Sequence, residues 1–176
     1  MRSNYDFDVI ASGLDPDADD FETRFWEAGC DDATVSFQRG RIIIAFAREA
    51  ASAEAALDSA LSAVRAAGAT VLRIEPDPLV CASDIAERTG LTRAAASLYA
   101  KGARGTGFPA PVVRVTTDSP LYDWAEVARW LQGRGQVPAR TVEVAEAIAR
   151  ANAALQAEAE TGRARGREAA AAGSRS

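Results

Sequence analysis

The chain has 176 residues, of which 48% are hydrophobic and 26% charged, proportions typical of a globular fold. Histidine is absent, which removes imidazole as base, proton relay or metal ligand, and with it Ser-His-Asp and Cys-His chemistry. The net charge of −5 argues against coating nucleic acid by bulk attraction, yet it is uneven: residues 1–80 carry 7 basic and 15 acidic side chains, residues 81–136 carry 7 and 5, and residues 137–176 carry 6 and 5.

Residues 5–11 alternate about Tyr5, Phe7 and Val9, the period of a strand with one buried face. Asp15-Pro16-Asp17 marks a turn, and residues 19–28 place Phe21, Phe25 and Ala28 on one helical face that Gly29 ends. Residues 33–37 and 41–47 read as two strands joined through Gln38-Arg39-Gly40. Ser52 caps an alanine-rich helix to Ala67, with Ala53, Leu57, Leu61 and Val64 as its apolar stripe, and residues 70–75 form a further strand. The order β-α-β-β-α-β predicts an α+β fold: a ferredoxin-like domain over residues 1–75, four antiparallel strands backed by two helices. That architecture serves sensing, dimerisation and partner binding alike, so it assigns no function. Its acidity, and the lack of an aromatic-rich glycine motif on its strands, argue against RNA reading. Glu75-Pro76-Asp77-Pro78 is a stiff boundary, because two prolines in three residues interrupt helix and sheet.

Residues 83–99 have the spacing of a helix-turn-helix. Ser83 is placed to cap the first helix, Ile85 points inward, and Ala86 is small where a second helix crosses. Gly90 suits the positive φ of a tight turn, Leu91 fills the angle, Thr92 caps the second helix, and Ala96 and Tyr99 form its buried side. Phe108-Pro109-Ala110-Pro111 then forces an extended exit. Residues 112–116 and Leu121-Tyr122 are expected to pair as a small wing, and Asp123 with Glu126 has capping-box spacing for a helix bearing Trp124, Val127, Trp130 and Leu131. The two tryptophans are read as core.

The stretch Asp84 to Leu131 resembles the winged helix-turn-helix domains of the MerR and excisionase-like superfamily. The matching residues are Asp84-Ile85-Ala86, Gly90-Leu91-Thr92-Arg93, Phe108-Pro109-Ala110-Pro111, Leu121-Tyr122-Asp123-Trp124 and Val127 with Trp130-Leu131. The resemblance implies binding of double-stranded DNA, with the second helix in the major groove and the protein acting as a dimer. It implies no effector, since the metal-sensing cysteines and long dimerisation helix of MerR regulators are not recognisable.

With Ala96 and Tyr99 buried, helical geometry exposes Arg93, Ala94, Ser97, Leu98 and Lys101. Thr92 and Arg93 lie at the helix N-terminus, where free N–H groups favour a phosphate. Ser97 is a candidate for a base edge or phosphate, and Ala94 for a thymine methyl. Lys101, Arg104 and, from the wing, Arg114 complete the expected DNA-binding set. The loop Gly102 to Gly107 follows a helix and lacks Gly-Lys-Ser/Thr, so it is not read as a nucleotide cradle.

The second domain is thus expected over residues 79–136. A C-terminal helix follows over 138–160, with Thr141, Ala145, Ile148, Asn152 and Leu155 spaced like a coiled-coil seam in which Asn fixes the register. Residues 161–176 hold nothing to bury and are expected to be disordered. No apolar run reaches membrane-spanning length and the N-terminal residues lack a leader core, so a cytoplasmic location is expected. Cys30 and Cys81 read as small buried thiols, and no metal, cofactor or catalytic residue is assigned. The function expected from these features is a sequence-specific, dimeric bacterial DNA-binding protein, a transcriptional regulator and not an enzyme. The other reading is an antitoxin or phage-type accessory protein: its acidic N-terminal domain or C-terminal helix would neutralise a protein partner, and its helix-turn-helix would autoregulate.

Overall fold

Along Ser3–Ser12 (β1), alternate residues Tyr5, Phe7, Val9 and Ala11 are buried while Asn4 and Asp6 stay exposed, the two-residue period of a strand with one covered face. The computed structural model describes residues 1–173, a mixed α+β chain with an antiparallel sheet. It divides into two compact units. One comprises Met1–Glu75 with the chain from Arg150 onward, and the other Pro76–Ala149.

In the first unit β1 is followed by Phe21–Glu27 (α1), Ala33–Gln38 (β2), Arg41–Ala50 (β3), Ala53–Ala66 (α2) and Thr70–Glu75 (β4). The strands lie in the order β2-β3-β1-β4, every neighbouring pair antiparallel. Arg39 and Gly40 both have positive φ, 51° and 76°, the two-residue turn whose twist matches a hairpin. One register row, Val35–Ile44–Val9–Ile74, crosses the whole sheet. Ile44, Val9 and Ile74 in it are fully buried, each stabilising by about 1.5–3 kcal/mol. Phe7 stacks on Phe46 with ring centroids 5.4 Å apart. Helix α2 starts where Ser52 Oγ accepts the Ala55 N–H at 3.2 Å, and it packs on β1, β3 and β4 through its buried Leu57, Leu61 and Val64.

The second unit holds Leu79–Val80 (β5), Ala82–Thr89 (α3), Arg93–Ala100 (α4), Tyr122–Asp123 (β6) and Trp124–Gln132 (α5). Its core gathers Val80, Ile85, Ala96, Tyr122, Val127 and Leu131. Two details differ from the sequence reading. Helix α3 begins at Ala82, not after Ser83, because the Asp84 carboxylate accepts the Cys81 N–H at 2.8 Å and makes Cys81 the cap. The expected wing is reduced to one bridge, Val113 with Leu121, while Tyr122 pairs with Val80 of β5 instead. Arg114, at φ 54°, turns the chain directly after the bridge, and its carbonyl accepts the Thr117 N–H at 3.0 Å.

The last helix, Ala139–Gly173 (α6), places Ala145 in the core of the second unit and buries Leu155 in the first. It does not stop near residue 160. Alanine, arginine and glutamate dominate the segment predicted to be disordered, and all three favour helix without needing burial. Residues 174–176 of that segment lie outside the described residues. Asn152 does not sit in a helix–helix seam. Its amide accepts the Ile74 N–H at 2.8 Å and donates to the Ile74 carbonyl at 2.9 Å, along the outer margin of β4. Among the described residues no helix is long and apolar enough to cross a membrane.

Candidate nucleic-acid interface

Gly90, left-handed at φ 71°, ends α3 and allows the chain to reverse within Gly90-Leu91-Thr92. Leu91 packs against the core beneath the turn. Thr92 Oγ1 accepts the Ala95 N–H at 3.1 Å and starts α4, keeping its own O–H free to donate outward. Ala96 and Tyr99 are buried and fix the rotation of α4. The Tyr122 hydroxyl donates to the Ala100 carbonyl at 3.2 Å and ties down the far end of the helix.

That rotation leaves Arg93, Ala94 and Leu98 exposed on one side, with Lys101 exposed just beyond and Ser97 half-buried beside them. Leu98, 43% exposed, is the apolar centre of this row. Helix α4 contains no acidic side chain, so its positive N-terminal end and Arg93 act with the same sign. Six of the eight residues predicted from sequence, Thr92, Arg93, Ala94, Ser97, Leu98 and Lys101, therefore follow one continuous stretch of surface. Arg104 and Arg114 stand in two separate loops and are both exposed.

Arg104 is held by an aromatic cluster. Its guanidinium carbon lies 5.5 Å from the Tyr99 ring centroid, and Tyr99 meets Trp130 edge-on at 5.0 Å. Trp130 Nε1 donates to the Thr106 carbonyl at 3.1 Å, and Gly105, at φ 74°, lies so close to the indole that a Cβ there would stand 2.9 Å from it. Arg134 covers the other part of the cluster, 4.1 Å from the Trp130 centroid, and donates to the same Thr106 carbonyl at 3.2 Å. The sequence reading missed Arg134. Its Gly133-Arg134-Gly135 setting looks like a bare loop, and the contact that places it spans 28 residues.

A groove of about 370 Å³ lies beside Ser97 and Lys101 of this surface. Its walls include Cys81, Ser83, Ser97, Lys101, Thr117 and Ser119, so it brings Ser97 and Lys101 beside the turn that Arg114 opens. Apart from the Cys81 thiol these are short hydroxyls and one ammonium, with Asp118 the one carboxylate in the lining. Beneath it, burial of Asp84 opposes ionisation, but bonds from Cys81 and the nearby Arg88 charge outweigh it and hold the carboxyl below its usual range. Asp84 is thus a charged cap that fixes α3 and not a free acid for chemistry. Among the described residues no group of three or more Cys, Asp or Glu side chains is placed to hold a metal ion. What the surface offers is hydrogen-bond donors, cations and one apolar contact on a convex helix, the chemistry of phosphate and base-edge contact. No protein-family model, curated protein or solved structure matches the chain.

Proposed function

We propose that this chain is a sequence-specific DNA-binding protein, a transcriptional regulator that occupies its operator as a dimer. The observation that carries the reading is the row of exposed Arg93, Ala94 and Leu98 with half-buried Ser97 on a helix without acidic residues, continued by exposed Lys101 and braced from behind by α3. In this reading α3 and α4 are the helix-turn-helix and α4 lies in the major groove. Arg93, Thr92 and the first N–H groups of α4 hold a phosphate, Ser97 meets a base edge or phosphate, and Ala94 and Leu98 meet thymine methyls. The short hairpin bridged at Val113 and Leu121 plays the wing and carries Arg114 to the backbone, while Arg104 and Arg134 anchor a neighbouring phosphate. The resemblance of Asp84 to Leu131 to the MerR and excisionase-like domains supports this assignment, and the strand order β2-β3-β1-β4 supports a ferredoxin-like reading of residues 1–75.

The test is selection of bound duplexes from a random pool by the purified protein, followed by titration of the selected site. Arg93→Ala and Lys101→Ala should each weaken binding by about 1–3 kcal/mol without moving the melting temperature, since both side chains are exposed. Arg24→Ala, which removes a surface pair with Asp20 in the first unit, is the control and should leave affinity unchanged. Failure to enrich any duplex sequence overturns the reading and puts the protein-partner function in its place.

A further inference from the structure

Strand β2 lies at the margin of the sheet, and its register shows which backbone groups it leaves unpaired. The Ala47 N–H donates to the Asp32 carbonyl at 3.1 Å, and Thr34, Ser36 and Gln38 follow Asp32 in the same phase opposite Ala45, Ile43 and Arg41. In an antiparallel ladder bonded and outward residues alternate, so Val35 and Phe37 turn their N–H and C=O groups to the outside, while the Ala33 N–H is taken by the Cys30 carbonyl at 3.1 Å and Ala33 offers only its C=O there. The strand, Ala-Thr-Val-Ser-Phe-Gln, has no charge and no proline, the usual guards of an exposed margin. Beside it, Phe25, Trp26, Cys30, Ala33 and Val35 line a groove of about 450 Å³, with Trp26 66% exposed and Phe37 46% exposed.

We propose that β2 is the surface through which two copies of this chain associate, pairing antiparallel with its own image about a two-fold axis at Val35. Only registers that oppose outward residues can form bonds, and three of them set more than one such pair within the strand. Centring on Val35 pairs Val35 with itself and Ala33 with Phe37, and brings Asp31, in the turn before the strand, beside Arg39, in the turn after it. The two neighbouring registers set Asp31 against Phe37 or Arg39 against Ala33, leaving the charges unmatched. The Val35 register alone opposes Asp31 and Arg39, both exposed, twice across the axis. It also brings Phe37 of the second copy beside Ala33, where the groove under Trp26 receives it. This names the surface of the dimer in the DNA-binding reading but stands on β2 alone.

Sedimentation of the full chain at micromolar concentration without DNA tests it. The wild type should run at twice 18.5 kDa. Asp31→Arg and Arg39→Asp each set like charges opposite one another twice and should raise the dissociation constant about tenfold, whereas the double exchange should restore it. Aspartate tolerates the left-handed conformation at position 39, so folding is not at issue there. Val35→Pro, which removes an outward N–H and no bond to β3, should be monomeric. A monomeric wild type, single exchanges that dimerise like wild type, or a double exchange that stays monomeric overturns the proposal. Arg93→Ala should dimerise like the wild type, and a wild type that dimerises yet enriches no duplex sequence counts against the DNA reading only.

Discussion

Arg48 is 9% exposed and still carries its charge, because every side of the guanidinium has a partner. It forks onto Asp32 at 2.8 and 2.6 Å, donates to the Gly29 carbonyl at 2.6 Å and to Ser59 Oγ at 3.3 Å, and lies 4.6 Å from the Phe46 ring centroid. The hydrogen bond from Arg48 is the main reason the Asp32 carboxyl is held below its ordinary range, outweighing its burial. A depressed carboxylate stabilises the fold above its unfolded pKa, and that stabilisation is lost as pH falls through the folded one. Thermal melts should therefore show an acid limb beginning near pH 4, and Asp32→Asn should flatten that limb while costing roughly 1–3 kcal/mol at neutral pH. Arg114 poses the opposite case, a charged side chain on a strained backbone, φ 54°. Left-handed geometry costs a non-glycine residue about 1 kcal/mol, so Arg114→Gly should hold or raise the melting temperature. The same substitution should weaken DNA binding, and a fall in stability with unchanged affinity would make Arg114 structural only.

Among the elements, the loop of Gly102 to Gly107 depends most on one contact. Gly105→Ala adds both a strained φ and a Cβ 2.9 Å from the Trp130 ring, and should cost about 1–2 kcal/mol and change tryptophan fluorescence as the loop lifts. Which elements exist was largely legible in the sequence. The two-residue period of Tyr5, Phe7 and Val9 and the stripe Ala53, Leu57, Leu61, Val64 are written by burial itself, and Asp123 does accept the Glu126 N–H at 2.9 Å. The helical face bearing Arg93 and Lys101 was legible for the same reason, since buried Ala96 and Tyr99 set its phase. What stayed hidden was pairing at long range. Strand β5 has two residues and no period to read, so nothing in Leu79-Val80 announces Tyr122 and Asp123 as its partners. Asn152 looks the same in a helical seam as in a clasp on a strand 78 positions away. Ser83 and Asp84 are both good first-turn residues, and only the bond from the Cys81 N–H decides between them.

For the molecule as a whole, charge is sorted along the chain: 7 basic against 15 acidic side chains in residues 1–80, 7 against 5 in residues 81–136. In the DNA-binding reading, duplex DNA is drawn by the second stretch and repelled by the first, so binding should depend on specific contacts and be steeply salt-sensitive. Neutralising four phosphates through Arg93, Lys101, Arg104 and Arg114 gives a slope of log affinity on log salt of about −3.6 per subunit. A shallow slope in anisotropy titrations would mean that these cations do not touch the backbone. The two margins of the four-stranded sheet are sorted as well. Asn152 satisfies the outward N–H and carbonyl of Ile74 on β4, while on β2 Val35 and Phe37 turn theirs outward. A sheet open on both sides can be extended by copy after copy into a fibre, whereas one with a single open side has a valence of one. Asn152→Ala should raise that valence, and light scattering should then grow with time and concentration where the wild type stays flat. If β2 joins two copies as proposed, one carboxamide on α6 sets how many chains can join, and it does so from outside the strands that pair.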